Sequence, residues 1–492
     1  MKFNQISYTQ ALSDLVKYSV PASLGMIIRN GMDIVSWMFI GHLDNSDYIS
    51  GIGLGLFFTY VFFRSQAVGL GGGIETLWSQ AFGAKNKYLA GVFYNSSQII
   101  ITILFWFQLI VFVNSEKLLL LVGQPEASAH YAAQMIILYL PGLYFTCTLE
   151  LFRKYLSCQG VYYLILKVQT FTLILHTGLM YIFLVHFHTR LYGVAMLFNF
   201  YAILNYILTL GFTKKQFLDS SSMIYSSQDQ NDGSDINLES KETVISFTKW
   251  NRNALHKIWE YLKYGIPSCL MFCLRVWFTE ILTLFTGWMG SDDQSVWIIL
   301  YNLSSFMYMI PMGMSHAASN LVGNSLGANN YKNAKTYAYV IWIFALVFSA
   351  IFTIIGICFK HEVAICFSHH QKIIDLTEDL FPIISFWFIC DFVEGSSSGT
   401  IRALGYQKLA SIITFLSIWL VAFPWSYTLA FKLNMGQRGL WYGYLTGRSV
   451  LALAYTIIIG ITDWKKVAAE AVYRIHKEQE LIQADFEDED KT

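Results

Sequence analysis

The chain has 492 residues, with 33 Lys and Arg against 33 Asp and Glu, so its formal net charge is zero. Only 13% of residues are charged and 55% are hydrophobic, at a mean hydropathy of +0.44, whereas soluble domains carry about twice that share of charge. A disordered chain is excluded, nucleic acid has no electrostatic footing, and seven Cys scattered through apolar runs do not make a disulfide scaffold, which leaves a polytopic membrane protein.

Twelve apolar stretches long enough to span a bilayer lie near 16–40, 48–70, 91–113, 131–156, 162–185, 191–212, 260–288, 295–318, 334–359, 376–401, 408–431 and 437–461. They show no period-2 alternation, so they read as helices and not as strands of a membrane barrel. Residues 1–15 are polar, and the long run after them holds Arg29 and Asp33, which suits a retained first helix better than a signal peptide. Residues 213–258 are rich in Ser, Asp, Asn and Gln and read as a cytoplasmic, disordered linker. Residues 462–492 form a charged tail, solvated or with a short helix at its start. The expected domains are therefore 1–15, an N-lobe at 16–212, the linker at 213–258, a C-lobe at 259–461 and the tail at 462–492.

Orientation follows from Lys and Arg in the loops. With the N-terminus inside, the cytoplasmic loops hold Lys85, Lys87, Arg153, Lys154, Lys332, Lys335, Arg402 and Lys408, and the tail adds Lys465 and Lys466. The outer loops hold fewer, so both termini are expected in the cytoplasm.

The chain repeats itself. DLVKYSVPASL (14–24) aligns with EYLKYGIPSCL (260–270) at an offset of 246, and SQAFGAKN (79–86) with GNSLGANN (323–330) at 244. RKYLSCQ (153–159) matches RALGYQ (402–407) more loosely. The chain therefore reads as two copies of a six-helix unit, and an even number of helices per copy makes the repeat parallel. The expected fold is all-α: about twelve transmembrane helices in two pseudo-symmetric six-helix lobes.

At these residues the sequence resembles the multidrug and toxic compound extrusion (MATE) family, eukaryotic type. ETLWSQAFGAKN (75–86) and IPMGMSHAASNLVGNSLGAN (310–329) are similar to its two signatures, and FIGHLD (39–44), RALGYQKLA (402–410) and GLWYGYLTG (439–447) fit it as well. The family-motif positions are Glu75, Gln80, Gly83, Pro311, Asn324, Gly327, Arg402 and Gln407. The resemblance implies a secondary transporter that exports organic cations, drugs or metabolites in exchange for protons or sodium ions. It also implies acids in the seventh and tenth helices. Glu280 matches the second acid of helix seven, Arg275 stands where the first would be, and Asp391 takes the helix-ten position. Spacing from FIGHL aligns the helix-one acid of bacterial relatives with Ser36, one turn from Asp33.

Ionisable groups within the hydrocarbon are costly and are functional candidates. The ion-coupling candidates are Asp391, Glu280 and Asp33; Arg29 and Asp33, four residues apart, read either as a neutralised pair or as a coupling carboxylate with its partner. Glu150 is expected to pair with backbone or Arg153, and His176 and His316 either relay protons or are hydrogen-bonded. Arg275, Trp277, Tyr301, Tyr308 and Glu394 are the substrate-binding candidates, the aromatics through stacking on a cation. Arg275 and Glu280, five apart, do not share a helix face; Arg275 is expected to reach Asp391 instead and keep it ionised, leaving Glu280 to titrate. In the competing arrangement Asp391 carries the proton.

GSSSG (395–399) fits a nucleophile-elbow pattern but sits in an apolar helix, where small residues permit close helix approach. There is no metal motif, no P-loop and no cofactor signature. The sequence therefore points to an ion-coupled efflux antiporter, not an enzyme, without metal or cofactor, monomeric, acting on a small organic substrate from a plasma membrane or an acidic organelle membrane. Alternatives are a flippase for a lipid-linked head group, disfavoured because buried Lys is nearly absent, and a membrane acyltransferase using His176.

Overall fold

The computed structural model describes residues 5–41, 43, 46–225, 253–367 and 371–489, and among them there is no strand. Twelve long helices fall on the twelve apolar stretches. The first six are α1 (Tyr8–Ile40), α2 (46–83), α3 (Lys87–Val113), α4 (Glu126–Cys158), α5 (Tyr162–His186) and α6 (Arg190–Tyr225). The second six are α7 (Ile258–Met289), α8 (Ser291–Gly327), α9 (Tyr331–Cys358), α10 (Gln371–Ala403), α11 (Gln407–Lys432) and α12 (Gly436–Ile461). Nine of these, among the described residues, are long and apolar enough to cross a membrane. The other three, α1, α2 and α10, carry charge along their length: half-buried Arg29 and Arg64, and buried Glu75, Asp391, Glu394 and Arg402. Outward-facing Trp106, Phe107, Ile110, Ile174 and Ile354 are all more than 60% exposed, as a lipid-facing surface requires.

Helix α2 is interrupted by a π-helical turn at Tyr60–Arg64, and α5 and α11 contain π turns at Tyr181–His186, Leu416–Ala422 and Thr428–Lys432. Such turns shift the side-chain register of the downstream helix; Arg64, half-buried, closes the first of them.

The family motifs have a local structural cause. In AFGAKN, Asn86 N donates to the Ala81 carbonyl and Lys85 N to Phe82, with Lys85 at φ 62. This is a Schellman helix end, and the Asn86 side chain then caps α3 by accepting from Leu89 N at 3.0 Å. The second copy repeats it: Asn330 N donates to Ser325, Asn329 N to Leu326, Asn329 sits at φ 56, and Asn330 caps α9 through Asn333 N at 3.2 Å. The other matched pair ends helices in the same way, with Gly160 at φ 75 and Gly405 at φ 81 in the left-handed position.

The chain forms two compact units, one of residues 1–26 with 270–472, the other of 27–269 with 473–492. In the first, the start of α1 packs on α8 and α9: Ser23 Oγ donates to the Ile310 carbonyl at 3.0 Å, Ile6 N to Asn333, and Tyr337 to Asp14 at 2.8 Å. In the second, the start of α7 packs on α2, where Gly73 lies against the Gly265 backbone and Gly69 against Cys269. The lead helices of the two copies thus play equivalent roles.

Four expectations need correcting. The charged tail is not a short helix: it forms a 26-residue helix, α13 (Trp464–Glu489), with one face exposed. Asp463 caps it by accepting from Lys465 N and Lys466 N, each at 3.1 Å, and Trp464, Val467, Ala468, Ala471 and Ile475 are buried along one face. Lys257 pairs with Glu478 in a buried ion pair. Helix α6 runs into the stretch assigned to the linker and ends at Tyr225, while Asn253–His256 is a short helix at its far end; the disorder expected for 226–252 lies outside the described residues. In addition, Arg153, Lys154 and Arg402, counted as loop charges, are buried in α4 and α10. Lys154 and Lys257 also weaken the argument that buried Lys is nearly absent.

Candidate functional site

Charged side chains cluster between the helices of each compact unit. In the first unit the cluster is built by α7, α10 and α12. Asp391 and Glu394, three apart on α10, share a face and are 1% and 0% exposed. Arg275 of α7 donates from Nη1 to both Glu394 oxygens at 2.8 Å. Arg448 of α12 donates to Glu394 Oε2 at 2.9 Å and lies 3.2 Å from Asp391 Oδ1. Two guanidiniums and two carboxylates therefore neutralise one another in a dry interior, where a lone charge would cost several kcal/mol, roughly.

This corrects the expected pairing. Arg275 holds Glu394, not Asp391, and Asp391 is paired by Arg448, a residue that the sequence reading missed. A signal for it was present, since Arg448 is an ionisable residue inside an apolar stretch. The cluster is also wrapped in aromatics. Arg448 lies over the rings of Tyr444 and Trp387 at 5.3 and 5.7 Å, and Arg275 over Phe272 at 5.8 Å. The Tyr308 hydroxyl accepts from Arg275 Nη1 at 3.2 Å. Tyr301 is further off, within 3.4 Å of Thr279 Oγ1, and the Trp277 indole N–H has no hydrogen-bond partner among the described residues.

Glu280 stands apart from this network. It is half-buried on α7, and no ion pair or hydrogen bond is described for its carboxylate. At the α10 end, Arg402 donates to Ser315 Oγ at 2.8 Å and to Ser398 Oγ at 3.3 Å, and Gln407 donates to the Arg402 carbonyl at 3.3 Å. Gly395 and Gly399 let α10 approach α8 at Tyr308, Pro311 and Ser315, which is the close packing read from the GSSSG run.

In the second unit, Arg29 of α1 donates to Glu150 of α4 at 2.7 Å, and Arg153 lies 3.6 Å from the same oxygen. Asp33 pairs with Arg64 of α2 at 3.4 Å. The expected Arg29–Asp33 pair is therefore absent; a buried carboxylate on another helix is a better partner than an i+4 neighbour that is 32% exposed. The expected Glu150–Arg153 contact is present. Ser36, where the bacterial acid aligns, bonds His176 Nε2 at 2.9 Å, so His176 is hydrogen-bonded. His316 is buried in α8. Glu75 pairs with Lys154 at 3.4 Å, Lys154 donates to the Val68 carbonyl at 2.8 Å, and Gln80 accepts from Arg474 of α13 at 3.2 Å. Gly83 and Gly327 are the last residues of α2 and α8, Pro311 lies inside α8, and Asn324 donates to Asn320. The motif residues thus serve helix ends and interhelical contacts. Among the described residues, no group of three His, Cys, Asp or Glu is placed to hold a metal ion.

Comparison with known proteins agrees with this architecture. The MatE family profile matches residues 21–182 and 267–428, two copies at the offset of 246 read from the repeat. Protein DETOXIFICATION 16 of Arabidopsis thaliana is 27% identical over 463 residues, covering 94% of this chain and 90% of its own. Multidrug and toxin extrusion protein 2 of Mus musculus is 28% identical over 481 residues, 95% of this chain and 78% of its own. Among solved structures, the eukaryotic MATE transporter AtDTX14 superposes with a TM-score of 0.83 at 24% identity, covering 95% of this chain and 99% of its own. By its duplicated profile match and its twelve-helix fold, the chain belongs to the MatE family of multi-pass membrane transporters.

Proposed function

We propose that this chain is a proton-coupled antiporter exporting small organic cations, xenobiotics or metabolites by alternating access, with Glu280 as its coupling carboxylate. The observation that carries the reading is the contrast on α7 and α10. Asp391 and Glu394 are held by Arg448 and Arg275, whereas Glu280 is half-buried without a cationic partner among the described residues. A carboxylate that must lose and regain a proton during each cycle works best without a guanidinium fixing it in the charged form. Asp391 then acts as a fixed charge in the cluster. Trp277 and Tyr301, near Glu280 in sequence or through Thr279, supply an aromatic wall for a planar substrate. The protein works as a monomer in a plasma membrane or an acidic organelle membrane, with both termini cytoplasmic; exposed Lys85, Lys332, Lys335 and Lys408 support that orientation.

The test is uptake of a fluorescent organic cation into proteoliposomes, with an imposed pH gradient, an imposed sodium gradient, or neither. Uptake driven by the pH gradient and abolished in Glu280→Gln supports the reading. Uptake driven by sodium alone overturns proton coupling, and full activity in Glu280→Gln overturns the residue assignment.

A further inference from the structure

A groove runs along the second unit between the start of α5 and the end of α6. It encloses about 810 Å³, inside the range of roughly 300–1,000 Å³ typical of small-molecule sites. Tyr163, Lys167 and Phe171 of α5, four residues apart and so on one helix face, form one wall, and Leu208 and Phe212 of α6 form the other. Beyond Phe171, the Asn205 amide of α6 donates to Thr172 Oγ1 of α5 at 3.2 Å and ties the two helices together. From there the groove extends to the Gly160 turn just before α5.

The walls are open to lipid: Tyr163, Phe171 and Phe212 are 59%, 57% and 49% exposed. Lys167 is exposed between them, and among the described residues no acid pairs with it. A lysine on an apolar, lipid-facing stripe is costly unless its ammonium finds a countercharge or water. It lies five residues after Tyr162, where α5 begins, about 8 Å along the axis, so its side chain can snorkel to the head-group level. Lys214 and Lys215 follow Phe212 at the same end of the helix pair.

We infer that this groove holds one anionic glycerophospholipid, with its head group on Lys167 and an acyl chain along Tyr163, Phe171 and Phe212. Charge decides the class. A zwitterionic head group carries its own cation beside the phosphate, and a sterol offers one neutral hydroxyl, so neither brings a net countercharge. Basic pockets between helices at the membrane surface suit anionic head groups. Val161, Tyr163 and Lys167 also fit the spacing of a pattern linked to sterols. Leu404, Tyr406 and Lys408 fit it too, at a helix end without this groove, so the pattern alone selects nothing.

Binding is read without any ion gradient, so its outcome is separate from that of the antiport reading. The full chain is purified in mild detergent, and phosphatidylserine, phosphatidylcholine of the same acyl chains, or cholesterol is titrated in as mixed micelles. Thermal unfolding is followed by tryptophan fluorescence. Phosphatidylserine should stabilise saturably, at a half-saturating concentration at least about fivefold below that of phosphatidylcholine. Lys167→Gln should raise the phosphatidylserine value about fivefold, Lys167→Arg should leave it near wild type, and Lys335→Gln, at an exposed lysine of α9, should not move it. Equal stabilisation by the two phospholipids means annular lipid only and overturns the site. So do tighter binding of cholesterol, an unmoved value in Lys167→Gln, or an equal shift in Lys335→Gln. Soluble glycerophosphoserine that stabilises as well as the whole lipid also overturns it, because the acyl chain then does not occupy the groove.

Discussion

Removing Glu394 should be the most damaging single change in the first unit's cluster. The side chain is fully buried and accepts from Arg275 at 2.8 Å and from Arg448 at 2.9 Å. In Glu394→Gln, two buried guanidiniums share one carboxylate, Asp391, which reaches only Arg448. Arg275 keeps the Tyr308 hydroxyl and the Met271 carbonyl, each at 3.2 Å, but no countercharge. Leaving one buried charge uncompensated costs about 3–5 kcal/mol. Arg275→Gln should cost less, about 1.5–3 kcal/mol, because Glu394 retains Arg448. The double variant leaves Arg448 with Asp391, a neutral pair, so it should be more stable than Glu394→Gln alone, with a coupling of about 1–3 kcal/mol. Reversible unfolding in mixed micelles of mild detergent and SDS, followed by tryptophan fluorescence, measures all three. If the two single costs simply add, Arg275 and Glu394 do not act as a pair and the charge-balance argument fails.

Three further outcomes are expected. Gly399→Ala places a methyl group against the Ser315 carbonyl and should cost about 1–3 kcal/mol in the same unfolding assay, while Gly178→Ala, with nothing within 4 Å, should be neutral or slightly stabilising. Outside the membrane, His361 bonds Glu378, which raises its pKa above the ordinary value. The small stabilisation this gives is present below the ordinary His pKa and lost as pH rises through the raised one; Glu378→Gln should move the His361 titration, followed by NMR of labelled histidines, back down. Lys257→Met leaves Glu478 without its buried partner and should loosen the end of α13, so trypsin cleavage after Lys477 should accelerate; an unchanged rate means the pair does not hold the helix.

The spans, the duplication and the family were legible because each is written in local sequence. Hydropathy marks a helix wherever backbone groups must be satisfied internally, and the Schellman ends require particular residues at particular steps, so AFGAKN and SLGANN show themselves as repeats. Partner choice was not legible. Arg29 and Asp33 have good i,i+4 spacing, yet Glu150, 121 residues away, takes the arginine. Arg153 and Lys154 looked like loop charges because they fall at the very end of the 131–156 stretch, where nothing local shows that α4 continues to Cys158 and buries them. Arg448 escaped notice because a single Arg in an apolar run reads equally well as an interfacial anchor until Asp391 and Glu394 are seen across from it.

The charge reversal on α7 makes physical sense only with Arg448 in view. With an acid at the Arg275 position, as the family resemblance implies, one arginine would face three acids and leave a net negative cluster, suited to a cation or a proton. Replacing an acid by Arg275 brings the count to two and two, and the geometry uses every charge: Glu394 takes both guanidiniums and Asp391 completes the second. The motif residues do a different job, since Gly83 and Gly327 end helices, Gln407 ties α11 to the end of α10, and Asn324 bonds Asn320 within α8. The charge that the cluster presents is therefore set at Arg275 and Arg448, not in the motifs. Returning an acid at Arg275 would rebuild a negative centre with Arg448 as its single cation. Arg275→Glu should then shift the pH profile of proton-driven export, because three carboxylates would share one guanidinium and could no longer all ionise. An unmoved profile would mean that this cluster is structural and that Glu280 titrates independently of it.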